Sequence, residues 1–136
     1  MMCLDSYVIM DALSGKTDRV MKANKYLSEV KVKGGVISSV ALTEVFFHIA
    51  RRSTIANARK AISFIEAIEN LKIAGVDKDV SVNAGNLRAK YYKTREKEIS
   101  FLDCIHLAIA IATNCKKFVT GDRDFEGIEE IEIEVY

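Results

Sequence analysis

A chain of 136 residues that is 49% hydrophobic and 29% charged, with a formal net charge of +1, fits one ordinary globular domain of roughly 100–150 residues, expected to span 1–136. Its near-even charge decides little: nucleic-acid binders are often more basic overall, so any polyanion has to be met by a local patch. Cys3, Cys104 and Cys115 are odd in number, fit no zinc spacing and sit in apolar segments, as free thiols of a reducing compartment do. No basic flank precedes the short apolar run at the start, and the longest apolar stretch, 107–112, is far below the ~20 residues of a membrane span. A cytoplasmic protein without a membrane partner is expected.

In chain order, 2–4 reads as a short strand, and Ser6 caps a helix over 7–13. Residues 18–30 place Val20, Met21, Ala23, Tyr26 and Leu27 near one helical face. Gly34-Gly35 ends that unit, and 36–38 reads as a second strand. Ser39 caps a helix carrying Leu42, Val45, Phe46 and Ile49 that stops near Arg51-Arg52-Ser53. Thr54 opens another, with Ala58, Ala61, Ile62, Ile65 and Ile68 on its face. A strand over 71–76 precedes a helix over 79–96; Ser100 then opens an apolar helix through Thr113. Residues 117–120 and 131–135 are the last strands. Strands separated by helices predict an α/β/α sandwich with a central, mainly parallel sheet, whose working site lies at the carboxyl ends of the strands.

Four acids stand where apolar chain meets a helix start or turn: Asp5, Glu44, Asp103 and Asp122. Burying an unpaired carboxylate is costly. Gathered at one sheet edge, four of them repel unless a divalent cation neutralises them, which points to Mg2+ or Mn2+ and to phosphoryl chemistry. Each also has a plain structural reading. Asp5 can cap a turn, Glu44 can be a surface helix residue, Ser100-x-x-Asp103 spells a capping box, and Asp122 can close an Asx-turn. Asp124 can cap the brief turn before Gly127. His48 and His106, the only histidines, follow Glu44 and Asp103 by one helical turn and read as packing or supporting residues rather than ligands.

Four segments carry a family likeness: Leu4-Asp5-Ser6-Tyr7-Val8-Ile9, Ile37-Ser38-Ser39 through Thr43-Glu44-Val45, Ser100-Phe101-Leu102-Asp103-Cys104-Ile105-His106-Leu107-Ala108, and Val119-Thr120-Gly121-Asp122-Arg123-Asp124-Phe125. In this order, over nearly the whole chain, they resemble the PIN-domain ribonucleases, most closely the VapC-type toxins of prokaryotic toxin–antitoxin pairs. The resemblance implies a PIN-like sandwich, a Mg2+ or Mn2+ site at the four carboxylates, endonucleolytic cleavage of RNA, and commonly a homodimer bound by a small antitoxin. Thr120 resembles the family's threonine near the site; beside the ligands, Ser6 can orient Asp5, bind a metal water or simply cap, and Asp124 can hold a metal-bound water. Arg123 departs from the pattern: its guanidinium can serve RNA phosphate or pair with a site carboxylate and block it.

For RNA contact, Arg51 and Arg52 follow the Glu44 helix, and Lys90, Lys93 and Arg95 alternate with Tyr91 and Tyr92. Cations interleaved with rings suit phosphates and bases; a solvated helix face reads equally well. Other phosphoryl-handling folds fail on spacing. Tyr7 stands where an Asp-x-Asp motif needs its second acid, and Met10 where a P-loop ending in Gly15-Lys16-Thr17 needs its first glycine. The remaining alternative is a catalytically silent PIN-like module for RNA binding or assembly.

Overall fold

The structure is a computed structural model that describes every residue except Gly15, Thr94 and Arg95. Arg95, a candidate RNA contact, and Gly15 of the P-loop-like triplet therefore lie outside the described residues. Five parallel strands form one sheet: β1 (Met2–Leu4), β2 (Gly35–Ser38), β3 (Leu71–Ala74), β4 (Lys117–Thr120) and β5 (Glu132–Val135), in the order β3-β2-β1-β4-β5. The helices are α1 (Ser6–Ser14), α2 (Thr17–Lys33), α3 (Ser39–Arg52), α4 (Ile55–Glu66), α5 (Lys78–Tyr91) and α6 (Phe101–Ala112), with a 3-10 turn at Arg123–Phe125. This is the α/β/α architecture expected from the alternation of strands and helices.

The central strands are buried on both faces, as a covered parallel sheet requires. Alternation along β1 sends Cys3 to one face, where Val36, Phe118 and Phe125 pack with Leu87 of α5 and Leu107 and Ile109 of α6. Met2 and Leu4 go to the other, against Val8, Ala23, Tyr26 and Val30 of the α1–α2 pair. Beside them, Ile9 and Ile37 meet Ala41 and Val45 of α3 and Ala61 and Ile65 of α4. The edge strand β5 alternates Glu132 and Glu134 with apolar residues, a charge pattern that discourages edge pairing.

Gly34 ends α2 with φ 79°, its N–H donating to the Val30 carbonyl, a conformation only glycine adopts cheaply. Gly35 is needed for space. A Cβ there would lie 2.8 Å from Val30 Cγ2 and 3.3 Å from the Met2 carbonyl oxygen, and Val30 is fully buried and stiff at χ1. Gly35→Ala is expected to lower the urea midpoint by an amount equivalent to about 1–3 kcal/mol of overpacking; an unchanged midpoint would show that α2 shifts freely on the sheet.

Several boundaries differ from the sequence reading. The cap of α3 is Ser38, not Ser39, its hydroxyl accepting from Val40 N at 3.2 Å; the strand runs straight into the helix. Met21 is 69% exposed, because Ala23, Tyr26 and Val30 set the buried face of α2. The helix expected over 79–96 stops at Tyr91. Beyond it, 93–98 offers no apolar residue to bury, and helices in proteins persist through such burial; Lys93 and Lys97 pair instead as an antiparallel bridge. The strand expected over 71–76 ends at Ala74. Among the described residues no helix is long and apolar enough to cross a membrane.

Candidate metal centre

The carboxyl ends of β1, β2 and β4 open on one edge of the sheet, as expected for open α/β folds. Asp5 follows β1 and extends the ladder by donating its N–H to Val119 O at 2.9 Å. Its side chain is buried and fully held. Oδ1 accepts from Ser6 N at 2.8 Å and Ser6 Oγ at 3.4 Å, while Oδ2 accepts from Thr120 Oγ1 at 2.7 Å. Burial pushes the Asp5 carboxyl up to about 6. His106 and the Thr120 hydrogen bond oppose that rise, while Asp103 and Glu44 add to it.

Glu44 projects from the second turn of α3, and its Oε1 lies 2.5 Å from His106 Nε2. The same nitrogen is 3.9 Å from Asp5 Oδ1. His106 is completely buried on α6, and its Nδ1 has no hydrogen-bond partner among the described residues. Burial pulls its pKa down, but the Glu44 bond and the charges of Asp5 and Asp103 outweigh that and raise it on balance. Asp5, Glu44 and His106 each offer a ligand atom within 4.8 Å of the others. The sequence reading placed His106 in a packing or supporting role; the structure sets it between two of the predicted carboxylates. The available signal was its three-residue offset from Asp103, which turns both side chains to similar faces of α6.

Asp103 lies in the first turn of α6 and forms the complete capping box: its Oδ2 accepts from Ser100 N, and Ser100 Oγ from Asp103 N, both at 3.0 Å. Burial raises its pKa, against the Ser100 hydrogen bonds and His106, and Asp122 raises it further. Asp5, Ser6, Glu44 and Asp103 wall a cavity of about 260 Å³ with Tyr7, Met10, Asp11, His48 and Arg52. Asp122 stands beside this cavity rather than in its wall. Its N–H donates to Thr120 Oγ1 at 3.0 Å, and its Oδ1 accepts from Asp124 N at 2.9 Å. Asp122, not Asp124, therefore caps the turn before Gly127. Thr120 couples the two acids, donating to Asp5 while accepting from Asp122.

The donor set fits a hard divalent cation. Carboxylate oxygens from separate elements face one small cavity, and burial, with a smaller push from neighbouring acids, raises the pKa of Asp5 and of Asp103. Among the described residues no lysine or arginine pairs with Asp5, Glu44, Asp103 or Asp122. Arg123 points elsewhere: it is exposed and lies 3.8 Å from Glu126.

Of the RNA-contact candidates, Arg52 reaches the cavity wall. Arg51 lies over the Phe47 ring at 6.0 Å, and Lys90 is engaged by Glu130 at 3.2 Å and Glu129 at 3.9 Å. Lys93 lines a separate cavity with Lys90, Tyr91 and Lys97, away from the acidic one.

An acidic cluster able to hold a metal ion, at the carboxyl edge of a five-stranded parallel sheet, defines the class: α/β proteins with an acidic site at the strand ends. The PIN domain family matches residues 2–131, and the chain belongs to that family. Among solved structures it is similar to VapBC2 from Rickettsia felis bound to a promoter DNA fragment, at TM-score 0.77 and 18% identity over 98% of this chain and 97% of that one. It is similar to Mycobacterium tuberculosis VapC20, described as a sarcin–ricin-loop-cleaving toxin, at TM-score 0.73 and 19% identity over 96% and 98%. FitAcB from Neisseria gonorrhoeae gives TM-score 0.73 and 19% identity over 98% and 96%. No curated protein matches the chain in sequence.

Proposed function

We propose that this protein is a divalent-metal-dependent endoribonuclease, the toxin of a type II toxin–antitoxin pair, acting in the cytoplasm as a single PIN-like domain over 1–136. The observation that carries the reading is the cavity walled by Asp5, Glu44 and Asp103, none of them paired with a lysine or arginine among the described residues. The structural neighbours described as a toxin–antitoxin complex from Klebsiella pneumoniae and as a sarcin–ricin-loop-cleaving toxin support it.

In this reading Asp5, Glu44, Asp103 and Asp122 hold Mg2+ or Mn2+. The ion supplies a water of lowered pKa and a counter-charge for phosphate oxygens. The protein's own part is preorganisation. Ser6 and Thr120 fix both oxygens of Asp5 in one rotamer, Ser100 fixes Asp103 through Oδ2 alone, and His106 fixes Glu44 through Oε1 alone. Glu44 Oε2, without a hydrogen bond among the described residues, is the oxygen of Glu44 left to hold the ion. Asp124 supports Asp122 through the turn they share, and Arg52 at the rim, with Arg51 beyond it, meets RNA phosphate.

A protein partner is favoured by a second feature. The α3–α4 pair forms an open groove of about 770 Å³ lined by Leu42, Phe46, Phe47, Ile55 and Ile62, with Phe47 and Ile55 57% and 59% exposed. Apolar surface of that kind suits an antitoxin or a second copy of the chain.

The deciding experiment is a manganese titration of metal-stripped protein by calorimetry, beside cleavage of total RNA with and without metal. Metal binding with metal-dependent RNA breakage that Glu44→Gln slows is expected. RNA left intact at saturating manganese would favour the silent module, a reading aided by the engagement of Asp103 and Asp122 in helix and turn caps.

A further inference from the structure

Close to the acidic cavity in the chain, at the start of α6, stands a stack of three planar groups that the catalytic reading does not use. The Arg88 guanidinium carbon lies 4.3 Å from the centre of the Tyr92 ring and 3.9 Å from that of Phe101. Arg88 Nε donates to the Ile99 carbonyl at 3.2 Å, which locks the guanidinium in place against both rings. Among the described residues it has no carboxylate partner. The rings are left open: Phe101 is 66% exposed and Tyr92 40%.

The position of Phe101 is what gives the stack meaning. It is the first residue of α6, in the turn whose geometry the Ser100–Asp103 capping box fixes, so the ring stands on a rigid support. Two partly exposed rings gathered on one guanidinium form a patch rather than a lone surface residue, and such a patch is open to an aromatic or apolar partner. Two occupants have suitable chemistry, a nucleobase and an apolar protein side chain. The guanidinium favours the base: an aromatic–cation layer extends naturally by one more π-face, and its positive charge attracts the polyanion carrying that base.

We infer that Phe101, backed by Arg88 and Tyr92, is a stacking platform for an unpaired nucleobase of single-stranded RNA. The inference rests on the nuclease reading and adds to it a substrate subsite. Stacking on a bare ring tolerates any base, so the platform contributes affinity and register rather than sequence choice.

The chain contains no tryptophan, so Phe101→Trp places a single indole on the platform. The probe is an unlabelled, randomised single-stranded RNA, titrated with Ca2+ in place of Mn2+ to keep it intact. Quenching of the introduced indole is expected on saturation. In parallel, Phe101→Ala, read by competition against labelled RNA of the same kind, is expected to bind at least about fivefold more weakly than wild type. Its salt dependence should be unchanged, because no phosphate contact is lost, and its manganese affinity should match wild type. RNA that binds the Phe101→Trp variant while leaving its indole unquenched, or binding that Phe101→Ala does not weaken, would assign the rings to a protein contact and overturn the platform while the nuclease reading stood. Failure of wild type to bind RNA at all would remove both.

Discussion

Asp5→Asn is expected to leave a protein that is more stable without metal and unable to bind or use it. The loss of function follows from geometry. Both oxygens of Asp5 are aimed by Ser6 and Thr120 at the edge shared with Glu44 and Asp103. Removing a partner that merely orients a ligand costs roughly 10–100-fold in metal affinity, so neutralising a group at the centre of the cluster is expected to cost more than about 100-fold. The gain in stability follows from the raised pKa. The Asp5 carboxyl titrates at about 6 in the folded metal-free protein against 3.8 as its ordinary value, so the folded state binds its proton more tightly than the unfolded chain does. That contribution to stability is fully present below the ordinary value and is lost as pH rises through about 6. The metal-free wild type should therefore melt higher near pH 5 than near pH 7.5. His106, whose pKa is also raised, adds a loss of the same sign, and the two titrate as a coupled set.

At pH 7.5 the asparagine variant escapes the cost of an ionised buried carboxylate, on the order of 1–3 kcal/mol. Manganese should reverse the ranking by stabilising wild type alone. Thermal melts of both proteins at the two pH values, with and without manganese, check the whole set. Wild type whose melting temperature is blind to both pH and metal would show that the cluster carries no strain, and would count against the metal centre itself.

The parts of the site that could be read from sequence were those whose local chain is unambiguous. Asp5 directly follows an apolar strand and Asp103 sits in a Ser100 capping box, so each can be placed at a strand end or helix start without tertiary information. Both positions are found where the alternation of strand and helix puts them. What sequence patterns could not resolve was which reading of a residue prevails when two are physically compatible. Asp103 caps its helix and lines the cavity at once, because the box uses only Oδ2. Asp122 is drawn further toward the structural role, its Oδ1 occupied by the Asp124 amide. The helix over 79–96 ended early for a different reason. Its periodic residues stop at Tyr91, and the charged run that follows has intrinsic helix propensity but nothing to pack. Long-range pairings were invisible altogether: Lys90 with Glu130 and Arg88 with Phe101 join segments whose spacing carries no mutual pattern.

His106 is the sharpest case, and its substitution should have the second largest effect. On an apolar helix face a lone histidine reads as packing, yet Nε2 faces Glu44 at 2.5 Å and Asp5 at 3.9 Å. Three variants separate the roles. His106→Ala opens a cavity in a fully buried position, and should lose about 2–5 kcal/mol of stability together with activity. His106→Phe restores the packing volume but offers Glu44 no donor. His106→Gln keeps an N–H donor and gives up the ring. If His106 positions Glu44, the phenylalanine variant should recover most of the stability while metal-dependent cleavage stays about 10–100-fold down. The glutamine variant should then regain activity beyond it, and the loss should appear in kcat rather than KM, since the residue touches no substrate. Phenylalanine matching wild type in both manganese affinity and rate would return His106 to packing and leave Glu44 to be held by the metal alone.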